Sequence, residues 1–319
     1  MASNTVPKVS PGTTPMVSPR RGPVGGRFWR RNATGWGLVL PYVVYFCLFT
    51  AFPIGFAIYL TFYRWNNLAA PPIPNGLHNY QYLINDANFW NALKVTLIFA
   101  VVFVVVMIPL ALTLALALNR SIPGRSFFRA AFFMPYITPG VVVAIVFIWI
   151  WQTQNGILNN LLGFVGIPPV PWLTSAKLAM PAIALTAVWK QAGYFTVIFL
   201  AGLQGIPRQI YEAAAVDGAT AWTQFRRITL PLLGPYFELA VLLGMIYILQ
   251  LFGEIFVATQ GGPGTETTTI PYYVYQTISQ ANDVGTSSAQ GVLAIIFSAI
   301  IAALLLRLLT RTFRRGLTA

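Results

Sequence analysis

Charge is what this 319-residue chain has least of, since only 8% of its residues are Asp, Glu, Lys or Arg. Soluble domains carry about 25%. A chain this poor in charge cannot clothe itself in a water-compatible surface, and at 56% hydrophobic residues the bilayer is its expected solvent. Acidic residues number seven and histidine one, too few for the clustered acid–base groups of a membrane-embedded enzyme. The single cysteine, Cys47, has no partner for an intrachain disulfide. Together with the single histidine, His78, it makes no metal-binding cluster. Lysine is also scarce. Lys8, Lys94, Lys177 and Lys190 follow Pro7, Leu93, Ala176 and Trp189, so no Gly-Lys-Ser/Thr phosphate loop exists and the chain is expected to hydrolyse no ATP itself.

What the chain has is apolar length. Six stretches, near 36–62, 92–118, 130–152, 178–203, 235–258 and 289–309, each approach the 20 or so residues that cross a bilayer core as helix. Lipid offers backbone groups no partners, which selects helix over isolated strand. The expectation is an all-α integral membrane protein with six transmembrane helices. Pro41, Pro53, Pro109 and Pro181 fall inside or near these runs as candidate kinks.

A net charge of +13 is compatible with nucleic-acid binding, but the cations lie between apolar runs rather than along one face. They orient the protein instead. With the N-terminus in the cytoplasm, the inner face collects Lys8, Arg20, Arg21, Arg27, Arg30 and Arg31. It also collects Arg120, Arg125, Arg129, Arg208, Arg226, Arg227, and at the end Arg307, Arg311, Arg314 and Arg315. Arg64, Lys94 and Lys177 remain outside. The positive-inside rule therefore selects N-in, C-in. Residues 1–31, rich in Pro, Ser, Thr and Gly, are expected to be a disordered basic cytoplasmic tail rather than a signal peptide. Residues 32–91 hold the first span and an outer loop, 92–309 the core, and 310–319 a second cytoplasmic tail. The turn-rich runs NNLAAPPIPNG, GIPPVPW and TQGGPGTET belong to outer loops. The spans show no internal repeat, which argues against an inverted-repeat secondary transporter; a stand-alone channel or secondary transporter is the alternative class.

The second inner loop, about 204–234, carries its own helical pattern. Pro207 suits a first turn. Tyr211, Ala214, Ala215 and Gly218 share one nearly smooth face. Gly218 ends the first helix, and a second, about 220–229, ends before Pro231. An amphipathic helix lying on the membrane is the plainer reading, but the Lys- and Trp-rich split of such helices is missing.

Glu212-Ala213-Ala214, Gly218, Ile228 and Leu230-Pro231 resemble the EAA loop of binding-protein-dependent ABC importer permeases. The strings TLPLLGP and TQGGPGTETTTIPYYVYQT resemble the family's carbohydrate branch, and LFGEIFVATQGGPG its sorbitol/mannitol-type members. The resemblance implies a type I ABC importer permease fold in a bacterial or archaeal cytoplasmic membrane. It implies as partners a second homologous permease, two ATPase subunits, which use ATP and magnesium, and an extracytoplasmic solute-binding protein. It also implies that Tyr211, Glu212, Ala213, Ala214, Asp217 and Gly218 form a helix docked in the ATPase, with Glu212 paired to a basic group there. The solute is expected to be a sugar or sugar alcohol, with a disaccharide or glycerol-phosphate-type solute as the alternative. No cofactor is implied for this chain.

Polar residues at membrane depth mark a cavity or a partner. Lys190 and Gln191 sit mid-span, Gln250 and Glu254 fall one turn apart in the fifth span, and Glu238 lies near its inner end, within reach of water. A polar cavity built from Lys190, Gln191, Gln250 and Glu254 would hydrogen-bond hydroxyl groups. Trp149, Trp151, Trp189 and Tyr247 would offer aromatic surface beside it. A Lys190–Glu254 pair that only holds helices together is the structural alternative, and Trp149 and Trp151 suit interface anchors equally well.

Overall fold

The computed structural model describes residues 24–66, 69–120 and 123–318, with side chains from Gly35 to Arg311. By internal contacts the chain divides into 1–56 and 57–319. The first unit holds α1 (Val24–Phe46), a π-helical turn, Cys47–Ala51, and the start of α2 (Phe52–Leu60), and ends within α2 at Phe56. Side chains from Gly35 onward in this unit are nearly all exposed, including Leu38 at 79% and Tyr42 at 68%, as lipid contact allows. Residues 24–31 were expected to lack structure, and they are helical. A helix already formed by the apolar span extends into preceding residues at little nucleation cost. The rest of the expected tail lies outside the described residues.

In the second unit, paired two-residue strands β1 (Tyr63–Arg64) and β2 (Ile73–Pro74) lead to α3 (His78–Asn85) and α4 (Ala87–Asn119). Then follow α5 (Arg125–Ile137), α6 (Gly140–Trp151), α7 (Ile157–Gly163) and α8 (Ala179–Gly205). The EAA-like loop holds α9 (Arg208–Val216), α10 (Ala221–Gln224) and α11 (Leu230–Leu232). The chain ends with α12 (Gly234–Ile248), α13 (Gly253–Ala258), α14 (Ile270–Ser279) and α15 (Val284–Thr318). Among the described residues, four helices are long and apolar enough to cross a membrane, or up to six if each of two bent pairs is one span.

The core lies where α4, α8 and α12 meet. Along α4 the buried stripe is Phe99, Phe103, Met107, Ala111 and Ala115, while Val101 and Val105 on the other face are 61% and 64% exposed. Both faces are apolar, because lipid and protein interior are equally so. What marks the packed face is the fit of side chains. On α8 that face carries Ala184, Ala187, Ala192 and Gly193. A Cβ at Gly193 would lie 2.0 Å from the Phe132 carbonyl oxygen, so the approach of α8 to α5 requires glycine. Phe103 and Phe195 meet edge to face at 6.0 Å, and Phe199 and Phe237 at 4.9 Å.

Two expected spans are broken. Residues 130–152 are α5 and α6, joined at a 100° bend. Thr138, ahead of Pro139, is extended, and Pro139 can supply no helical N–H. The run Pro135-Tyr-Ile-Thr-Pro-Gly140 carries the sequence signal for this bend. Residues 235–258 also fail to form one helix. The chain leaves the helix after Ile248, turns through 249–252, and restarts at Gly253. A Cβ at Gly253 would already touch Val141 at 3.4 Å, so α13 packs close against α6.

The two ends of the bundle separate the two classes of loop. At one end, Arg125 and Arg129 both donate to the Gln204 side-chain oxygen, at 2.8 and 2.9 Å. The two expected inner loops thus share an end. At the other, Asn91 donates to the Thr265 hydroxyl at 3.0 Å and Tyr273 to Asp86. There the start of α4 meets the expected outer loop. Burial and the neighbouring Asp86 carboxylate push the Tyr273 phenol well above its usual range.

Candidate functional site

Lys190 projects from the middle of α8 and reaches Glu254 on α13, Nζ to Oε1 3.1 Å, with side-chain exposures of 12% and 7%. Tyr247 of α12 donates to the same carboxylate oxygen at 3.4 Å. The bend before α6 makes this contact possible. Gly140 opens α6, and a Cβ there would stand 2.6 Å from Glu254 Oε1. The carboxylate therefore occupies the space a side chain would fill, beside the positive end of α6.

Around this pair is a cavity of about 600 Å³. Lys190, Gln191, Tyr247, Gln250 and Glu254 all line it. Gln250 and Glu254 do so by a different route from the one expected. They are not successive turns of one helix: Gln250 stands exposed in the turn after α12, and Glu254 is buried in α13. The aromatic surface also differs. Trp149 is 71% exposed, Trp151 is buried and donates to Thr186 at 2.9 Å, and Trp189 leans on Phe147 at 5.1 Å. None of the three lines the cavity. Tyr136 and Tyr194 do, with rings stacked 4.6 Å apart at 10°, and Phe195 lies beside them. Tyr194 lies one helical turn beyond Lys190, a spacing that could have drawn attention to it.

Glu238, expected near water, is half-buried and accepts from the Thr310 hydroxyl at 2.7 Å.

The EAA-like loop is a helix–turn–helix. α9 ends where Gly218, at φ +77°, lets the Ala219 N–H return to the Ala214 carbonyl at 2.9 Å. Thr220 caps α10 by accepting from the Thr223 N–H. The second helix does not stop before Pro231 but continues through it to Leu232. A π-helical turn, Phe225–Thr229, precedes the proline and changes which carbonyls its ring and missing N–H would affect. The face drawn through Tyr211 and Ala214 is turned inward in part. Both are half-buried, and Tyr211 hydrogen-bonds Thr229 at 2.8 Å. The outward surface holds Glu212, Ala213, Ala215, Asp217 and Gly218 with Val216, 89% exposed, and Trp222, 66% exposed.

A helical membrane bundle with a polar mid-membrane cavity and a rigid hairpin at its arginine-rich end defines a transport subunit. Residues 107–316 match the model of the binding-protein-dependent transport system inner membrane component family, and the chain belongs to that family. It is 35% identical to a probable ABC transporter permease protein of Sinorhizobium fredii, over 92% of this chain and 95% of that one. It is 32% identical to the sulfoquinovosyl glycerol transport system permease protein of Agrobacterium fabrum, over 85% and 89%. Against the trehalose/maltose transport system permease protein of Thermococcus litoralis it is also 32% identical, over 84% and 90%. The fold matches a subunit in the crystal structure of a bacterial ABC transporter involved in the import of the acidic polysaccharide alginate. There the TM-score is 0.74 at 26% identity, over 91% of this chain and 98% of that one. The chain is thus a multi-pass permease subunit of an ABC importer in the cytoplasmic membrane, and not a stand-alone channel or secondary transporter.

Proposed function

We propose that this permease carries a neutral polyhydroxy solute, a sugar or sugar alcohol, through the cavity around Lys190 and Glu254. The observation that carries the reading is the closed Lys190–Glu254 pair at 3.1 Å in a tyrosine-walled cavity. The two charges offset one another, so the cavity offers donors, acceptors and ring faces without a net charge. A glycerol-phosphate-type solute would need an uncompensated cation there. The relative named for trehalose/maltose transport handles neutral sugars, which supports this class, whereas the solved neighbour imports an acidic polysaccharide and supports only carbohydrate in general. The pair also holds α8 to α13, so the structural and solute-binding readings of these residues are compatible.

The remaining parts follow from the family. A second homologous permease would complete the pathway, two ATPase subunits would use ATP and magnesium, and an extracytoplasmic binding protein would deliver the solute. The hairpin of α9 and α10, with Tyr211, Glu212, Ala213, Ala214, Asp217 and Gly218, would seat in the ATPase and convey its closure to the bundle. A short, capped hairpin transmits displacement better than a flexible loop.

The test is uptake and binding-protein-stimulated ATP hydrolysis in membranes. Glu254→Gln leaves Lys190 without its charge partner, which for buried pairs costs about 3–5 kcal/mol, so both folding and uptake fall. The double variant Lys190→Ala with Glu254→Ala removes both charges. It assembles and hydrolyses ATP but loses uptake if these side chains meet the solute. Full uptake by a well-expressed double variant removes them from the pathway.

A further inference from the structure

A second polar pocket, of about 470 Å³, lies at the end of the bundle opposite the arginines, between the start of α4, α14 and the start of α15. Its floor is Thr268, Thr286 and Gln290, all buried. Gln276 and Thr277 form a wall, and Asn88 and Gln280 an exposed rim. Tyr82 and Tyr273 supply ring surface. No lysine or arginine lines it. Its one carboxylate, Asp283, is already engaged by the Thr286 N–H at 3.0 Å and hydroxyl at 2.8 Å.

Gln290 is 1% exposed. Its Nε2 donates to the Thr277 hydroxyl at 3.0 Å, and that hydroxyl donates onward to the Tyr273 carbonyl at 3.0 Å. The Gln290 Oε1 is buried and accepts from nothing among the described residues. A buried amide oxygen without a donor is costly, and most such atoms in proteins are satisfied. The missing partner must be a donor. The surroundings, amides and hydroxyls with two phenol rings, one hydrogen-bonded carboxylate and no cation, match a hydroxylated ligand rather than an anion. The pocket volume falls within the range of small-ligand sites, about 300–1,000 Å³.

We propose that this pocket is a second, outer-face binding site for a neutral polyhydroxy ligand, with Gln290 Oε1 accepting from one of its hydroxyls. It is separate from the mid-membrane cavity and shares no lining residue with it. The proposal rests on the importer reading only for the class of ligand. The site would hold solute on the outer side before the mid-membrane cavity receives it.

The test uses the intact transporter, purified with its partner subunits in nanodiscs without the binding protein. The probes are trehalose, maltose and sorbitol, read by saturation-transfer NMR. In the wild type at least one probe takes up saturation. Gln290→Leu removes the acceptor and weakens that binding about ten-fold, the worth of one buried hydrogen bond. Gln276→Ala, on the wall, weakens binding without touching the buried floor. The Lys190→Ala, Glu254→Ala double variant retains the signal, which separates this site from the pathway proposed above: that reading stands or falls on uptake, this one on saturation. A wild type that saturates none of the probes overturns the proposal. So does an unchanged signal in both Gln290→Leu and Gln276→Ala, as expected if the pocket holds only water. Loss of binding-protein-stimulated ATP hydrolysis in these variants with unchanged saturation also overturns it, marking a docking surface for protein instead.

Discussion

Gly140 has no side chain, and the space one would need is taken by the Glu254 carboxylate. Alanine there drives a methyl group to 2.6 Å from Oε1 and must displace the carboxylate from Lys190 or shift α6. Overpacking of this kind costs about 1–3 kcal/mol. We expect Gly140→Ala to lower the melting temperature of the purified protein and to reduce uptake. Gly291→Ala is the control: nothing lies within 4 Å of the added Cβ in α15, and a helical Gly→Ala change is worth about 0.5–1 kcal/mol of stability. Equal melting temperatures for the two variants would mean that Glu254 is not held by contact with Gly140. The charges of Lys190 and Glu254 were legible from sequence as rare ions at membrane depth. The absent side chain that makes room for one of them was not, because a glycine beside a proline reads first as a turn.

At the scale of elements, the hairpin of α9 and α10 depends on one backbone conformation. Gly218 sits at φ +77° with open space around its Cβ direction, so a substitution there acts through the backbone alone. The left-handed region costs an L-residue about 1–2 kcal/mol, and more for a β-branched one. Gly218→Val is expected to change the angle between α9 and α10 and to reduce both ATPase copurification and uptake. Gly218→Asn, which tolerates this region, should stay near wild type, and Glu212→Ala should loosen the ATPase without altering membrane insertion. Normal copurification and uptake with Gly218→Val and Glu212→Ala together would end the coupling assignment. This element could be read in the sequence because capping and turn chemistry are local. The bent third span was legible in principle from Pro135, Pro139 and Gly140. The break after Ile248 was less so: Leu249 to Phe252 is as apolar as the helix before it, and its end is enforced by packing of α13 on α6.

For the whole molecule, the loops sort by end. Arg125 and Arg129 meet Gln204 at one end, and Asn91 meets Thr265 at the other. This pattern agrees with the side assigned to each by the positive-inside rule. Single cysteines introduced by Ser18→Cys, Thr265→Cys and Thr318→Cys in a Cys47→Ala background test it with a membrane-impermeant thiol reagent in intact cells. Thr265→Cys should label, and the other two should label only after lysis. Labelling of Ser18→Cys in intact cells would invert the topology.

The sequence by itself determined the solvent, the approximate positions of six apolar segments, the end of the bundle at which each loop lies and the hairpin of α9 and α10. Each rests on composition, on charge position or on residues close together in the chain. The tertiary structure decided which polar residues share a space. Apolar faces toward lipid and toward neighbouring helices look alike in sequence, so hydropathy cannot say that Val101 faces out and Phe103 in. It likewise could not choose Tyr136 and Tyr194 over Trp149 and Trp189 as cavity walls. Those choices depend on close approach at Gly140, Gly193 and Gly253, where backbone meets a neighbour and only the assembled bundle supplies the neighbour.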